Sequence, residues 1–115
     1  MLETELLHKL EISPENIQFK EVIQVIDDHY AFTPVTFTVG KQINQAGENQ
    51  GSCKVFAFAK LHDIAAKLTP QLFGEYYRND VLKHPNGEDH QNIRNFLQYG
   101  WEGVRFDGLA LTAKP

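Results

Sequence analysis

The sequence predicts an α+β fold, predominantly helical, with about five helices and two or three short strands. Three observations carry this. Apolar residues recur at helical spacing within 2–10, 19–30, 53–61, 72–81 and 93–97. Strand-type alternation is confined to 35–39 and to short runs near 104–106 and 109–111. The chain has 115 residues, the size of one domain over 1–115. Eight Phe, four Tyr and one Trp can fill a core of that size without disulfide or metal staples.

The elements follow in order. Leu2, Leu6, Leu7 and Leu10 form the stripe of a docking helix over 2–11. Ser13-Pro14-Glu15 has the cap, first-turn proline and acidic residue that open a helix, predicted over 14–29 from Phe19, Val22, Ile23, Ile26 and Tyr30. Asp27 and Asp28 at its end oppose the helix dipole and call for a compensating cation, with His29 the nearest candidate. Thr33-Pro34 breaks that helix, and Val35, Phe37 and Val39 alternate with threonines in a strand over 35–39. Residues 41–51 are polar and contain glycine, which predicts a long loop of the kind that often carries function. The segment 53–60 fits either a helix or a buried strand; Ser52 as a cap and two alanines favour the helix. A short helix or turn follows over 61–68, with Asp63 as a candidate cap. Thr69-Pro70 then starts a helix over 70–83, with Leu72, Phe73, Tyr76, Tyr77 and Val81 inward. Pro85-Asn86-Gly87 is a turn, Asp89 the expected cap of a helix over 90–98, and Gly100 its left-handed exit.

Charge and composition exclude several function classes. A net charge of −4 argues against a nucleic-acid binder and against adsorption to anionic lipid. No apolar run approaches the ~20 residues of a membrane span, and 1–11 lacks the basic-then-apolar pattern of a signal peptide. With Cys53 alone, no internal disulfide forms, which fits a reducing compartment. Cys53 at a helix start beside Lys54 has the setting of a reactive thiol, but free cysteine is most often a small buried apolar group, and that is the expectation.

Residues 72–96 concentrate side chains that titrate or hydrogen-bond directionally. On a helix, Glu75 would meet Arg78 and Asn79, and His90 would share an edge with Arg94. The two helices are joined by a short turn, so Glu75, Arg78, His90 and Arg94 are expected to converge on one polar cluster. Asn49 and Lys54 mark a second candidate, a loop running into a helix N-terminus that would attract an anion. The glycine spacing there is not that of a phosphate-binding P-loop. Two function classes follow. One is a binding or interaction domain taking a small anionic ligand, with Arg78, Arg94, Asn49 and Lys54 as ligand residues, or a protein partner. The other is a small hydrolase or lyase with Glu75 and His90 as acid and base and the two arginines as anion clamp. His84, Asp89 and His90 are of metal-ligating type, but their spacing matches no familiar zinc pattern, so neither metal nor cofactor is expected.

The stretches GENQGSCKVFAFAKL (47–61), LFGEYYRNDVLKHPNGEDHQNIRNF (72–96) and GWEGVRFDGLAL (100–111) resemble the HopJ type III effector protein family. The combination FGEYYR, DHQNIR and GW carries most of the resemblance, which runs in order over the chain after roughly the first 30 residues. It implies a shared fold and a relation to proteins associated with type III secretion in plant-pathogenic Pseudomonas. It implies no particular activity or cofactor. Type III export in that group favours serine-rich N-termini free of acidic residues, whereas this chain has Glu3, Glu5 and Glu11 within a leucine-rich helix. The expected location is therefore the cytoplasm, with type III secretion into a host cell as the alternative.

Overall fold

A computed structural model describes all residues from Met1 to Pro115. The chain begins with α1 (Glu3–Ile12), which buries Leu6 and Leu10. The helix predicted over 14–29 is in fact two pieces, a 3-10 turn at Pro14–Asn16 and α2 (Phe19–His29). The break has a cause: Ile17 takes an extended backbone and is fully buried, so the chain straightens to seat that side chain in the core. Helix α2 then buries Val22, Val25 and Ile26. Tyr30, which fits the helical spacing, instead begins β1 (Tyr30–Phe32).

The predicted strand over 35–39 is shorter, as β2 (Phe37–Val39). The predicted loop over 41–51 is corrected more deeply. It contains β3 (Gln42–Asn44), which forms an antiparallel hairpin with β2, and the first residues of α3 (Gln50–Leu61). In β3 the polarity is inverted: Asn44 is fully buried while Ile43 is 62% exposed. Helix α3 resolves the helix-or-strand ambiguity in favour of helix and buries Cys53, Val55, Phe56, Phe58 and Ala59. Residues 62–68 form a turn, with Asp63 in the left-handed region rather than capping a helix.

The helix predicted over 70–83 does not form as one piece. Thr69–Phe73 is 3-10, Gly74 turns with φ +59°, and Tyr76–Val81 is a π-helical turn. Next come α4 (Gln91–Tyr99), a 3-10 turn at Gly100–Gly103, β4 (Val104–Phe106) and β5 (Leu111–Ala113). The strands make two small antiparallel sheets, one ordered β3-β2-β4 and the other pairing β1 with β5. The fold is α+β and dominated by helix, as predicted, with five short strands rather than two or three. No helix is long and apolar enough to cross a membrane.

One apolar cluster of 22 residues holds these elements together. Its centre is aromatic: the ring of Phe56 lies 5.1 Å from Phe73, 5.2 Å from Phe96 and 6.3 Å from Trp101. Cys53 is part of this cluster, and burial pushes its thiol up, although a backbone hydrogen bond from Val35 works the other way. The thiol therefore behaves as a core residue and not as an activated nucleophile.

Candidate functional site

Glu75 and Arg78 do not pair with each other. Gly74 brings the backbone against Gln18 and Phe19, and the Glu75 carboxylate accepts the Phe19 backbone N–H at 2.9 Å. It satisfies a donor in the first turn of α2, where no cap side chain sits at Gln18. The Arg78 guanidinium donates to the carbonyls of Pro14 (3.3 Å) and Ile17 and to the Gln71 side-chain oxygen (3.4 Å). Both residues fasten 14–19 to the turns at 69–81.

His90 and Arg94 belong to a second group. The π-helical turn sets Asp80 so that its Oδ2 lies 2.9 Å from His90 Nε2, and the Tyr76 ring lies against the imidazole at 5.1 Å. His90 is not in the first helical turn. It precedes α4 with a left-handed backbone, φ +51°. Arg94, with 11% of its side chain exposed, gathers the connection between the π turn and α4. It donates to the backbone oxygens of Asp80 (3.3 Å), His84 (2.8 Å) and Asp89 (2.6 Å) and to Asp89 Oδ1 (2.6 Å). Gly87 leaves room for that guanidinium, since a Cβ there would lie 2.6 Å from Arg94. Asp89 is the expected cap of α4, but its carboxylate goes to Arg94, whose hydrogen bond holds it below the usual carboxylate range against the opposing effect of burial.

A polar cavity of about 270 Å3 opens where the starts of α3 and α4 meet. Asn49, Ser52, Glu88, His90, Gln91 and Asn92 are among its lining residues. Behind it, three asparagine amides form a closed network. Asn44 Nδ2 donates to Asn92 Oδ1 (2.9 Å) and to the Phe37 carbonyl (3.2 Å). Asn92 and Asn49 both donate to Asn44 Oδ1, at 3.1 and 2.7 Å. This is why Asn44 faces inward in β3. Neither α3 nor α4 has a side chain capping its N-terminus. Lys54 faces elsewhere: its ammonium lies 2.8 Å from Asp27 and 5.1 Å from the Phe32 ring centre, supplying the cation that the end of α2 required.

The structure thus brings Asn49 and His90 to one cavity, while Arg94 lines a separate surface depression with Val81 and Leu97. Glu75 shares no hydrogen bond with His90. The helical spacing that would have joined the four residues is removed by Gly74 and the π turn.

A further cluster has no local signature in the sequence. The Tyr30 hydroxyl donates to the Glu3 carboxylate, and His62 Nε2 lies 2.7 Å from the same oxygen. The three come from α1, β1 and the residue after α3, separated by 27 and 32 positions. Burial, then the hydrogen bond to Glu3 and its charge, push the Tyr30 hydroxyl up to about 12. Burial alone would raise the Glu3 carboxyl, but hydrogen bonds from Tyr30 and His62 and the charges of His62 and His29 outweigh it and lower it. For Tyr30 the folded value exceeds the unfolded one, so its contribution is complete below pH ~10 and is lost as pH rises through about 12. For Glu3 the contribution is present above the unfolded value and is lost as pH falls through the folded one. Tyr30→Phe is expected to be less stable at neutral pH but to show a flatter melting-temperature profile between pH 10 and 12. Parallel profiles for the two proteins across that interval would refute it.

Fold and site define a small, helix-rich α+β protein built on one core, with a polar cavity between two helix starts. The chain belongs to the HopJ type III effector protein family, whose model matches residues 3–111. It is also similar to a solved structure titled "Crystal structure of unknown function protein VPA0580", at 51% identity and a TM-score of 0.97. That match covers 99% of this chain and 95% of the other. No curated protein matches the chain.

Proposed function

We propose that this HopJ-family protein acts by binding rather than by acid–base catalysis, and that its ligand seat is the polar cavity at Asn49 and His90. One observation carries the reading: the cavity is lined by hydrogen-bonding groups and backed by an amide network that leaves no buried side-chain polar atom unpaired. Such a seat is preorganised for a ligand and does not depend on it for folding. The enzyme alternative needs Glu75 and His90 to converge on a substrate, yet Glu75 accepts the Phe19 N–H and His90 faces Asp80. The ligand we favour is a small anion, which the amide hydrogens of 50–52 and 91–93 would receive. Glu88 at the cavity opposes it, so Glu88→Gln should tighten binding.

The test is a phosphate titration of chelator-treated protein followed by amide NMR. Saturable shifts at 50–52 and 91–93, weakened by Asn49→Ala, are expected. Absence of shifts at those amides with millimolar phosphate would defeat the anion reading. We place this activity in the cytoplasm of the producing cell. The support is that Glu3, in the first turn of α1, is tied to Tyr30 and His62 in the folded body. A reporter fusion that enters host cells only when a type III apparatus is present would overturn this location.

A further inference from the structure

We infer that Asp80, Asp89 and His90 form a binding site for a divalent transition-metal ion. One ligand atom from each residue lies within 4.8 Å of the others. His90 Nε2 is 2.9 Å from Asp80 Oδ2 and 3.8 Å from Asp89 Oδ2. An ion bound at about 2.0–2.1 Å in tetrahedral geometry holds its ligand atoms roughly 3.3 Å apart. The two separations from His90 bracket that value, and side-chain rotation that draws the Asp80 and Asp89 oxygens, now within 4.8 Å of each other, toward the same spacing would close the site.

The arrangement is held in place by its surroundings. Arg94 fixes the backbone oxygens of both Asp80 and Asp89, and so both carboxylate-bearing residues, through one guanidinium. It also takes Oδ1 of Asp89, leaving Oδ2 as the oxygen nearer His90. Hydrogen-bonded carboxylates and a guided imidazole are the supports that tune natural metal ligands. The Tyr76 ring restricts the plane of the imidazole from one side. The outer side is open, with 45% of the Asp80 and 58% of the Asp89 side chain exposed, so an ion can enter and keep water in its remaining positions. One imidazole and two carboxylates suit zinc, cobalt or manganese better than magnesium, which prefers oxygen ligands alone and releases its water reluctantly.

This site adjoins the proposed anion seat and shares His90 with it, but neither Asp80 nor Asp89 lines that cavity, so Asp80→Asn and Asp89→Asn probe the metal site alone. The test is calorimetric titration of chelator-treated protein with zinc, with cobalt absorption as a second readout. One equivalent of zinc should bind, with magnesium giving no comparable signal. Asp80→Asn and His90→Asn should each weaken binding at least tenfold, asparagine being chosen at 90 because it tolerates the left-handed backbone. Asp89→Asn, at an exposed position, should weaken binding with the fold intact by circular dichroism. His8→Ala, remote in α1, should leave binding unchanged. No saturable zinc binding below millimolar concentration, or binding that survives Asp80→Asn and Asp89→Asn, would overturn the site. Because the phosphate titration uses metal-free protein, the two proposals fail separately.

Discussion

Gly74→Ala is expected to destabilise the protein by about 3 kcal/mol or more, the sum of a backbone-strain and an overpacking effect. Gly74 has φ +59° and ψ −128°, a combination that residues with a Cβ rarely adopt. An added Cβ would also lie 2.5 Å from the Phe19 backbone nitrogen and 3.0 Å from the Gln18 backbone. Those atoms cannot rotate away as a flexible side chain would. Relief must come from moving the 69–81 segment off α2, which breaks the Glu75 bond to Phe19 N–H. Gly47→Ala is the control: its φ is +95°, but a Cβ there meets nothing within 4 Å. It should cost only the conformational part, about 1 kcal/mol. Urea unfolding of the two variants checks this. Equal losses would show that the close approach to Phe19 carries no energetic weight.

Phe56→Ala should lose about 4 kcal/mol, within the range for emptying a buried phenylalanine site. Phe56 is fully buried and contacts Phe73, Phe96 and Trp101, so three rings from separate elements would face the void. The void would be faced by α4 and by the 3-10 segments at 69–73 and 100–103, and its cost rises with the volume they leave unfilled. Trp101 is the only tryptophan, so its fluorescence reports both the void and the unfolding transition. Leu109→Ala, at a residue 71% exposed, should stay within about 0.5 kcal/mol of the parent. A loss below about 2 kcal/mol for Phe56→Ala would mean that the core repacks around the cavity.

These two positions also show how much could be read from the sequence. The stripes of α2 and α4 were legible because one face of each helix decides its burial, whereas α3 buries Cys53, Val55, Phe56, Phe58 and Ala59 on more than one face and so also fitted a buried strand. The break at Gly74 was not. Leu72, Phe73, Tyr76, Tyr77 and Val81 keep helical spacing, and the glycine's role comes from Gln18 and Phe19, far away in sequence. Strand β3 was hidden because its inward residue, Asn44, is an amide paired with Asn49 and Asn92, while its apolar residue faces solvent. Strand β1 was hard for another reason: a three-residue strand has little pattern of its own, and Tyr30–Phe32 pairs with β5, which the run near 109–111 marks to within two residues. At the candidate site, the density of polar residues in 72–96 pointed to His90 and Arg94. Asp80 was not assigned a role, because only the π turn aims it at His90.

The pairing of Tyr30–Phe32 with Leu111–Ala113, and of Phe37–Val39 with Val104–Phe106, has a consequence for the life of the chain. Both sheets draw a strand from the last dozen residues. Helices α1 to α4 can begin to form locally as the polypeptide emerges, but closing the long loops that complete the sheets carries an entropic cost that must be met before their contacts help. Residues 104–113 therefore complete both sheets after the helices have begun to form, as a latch on a body already partly built.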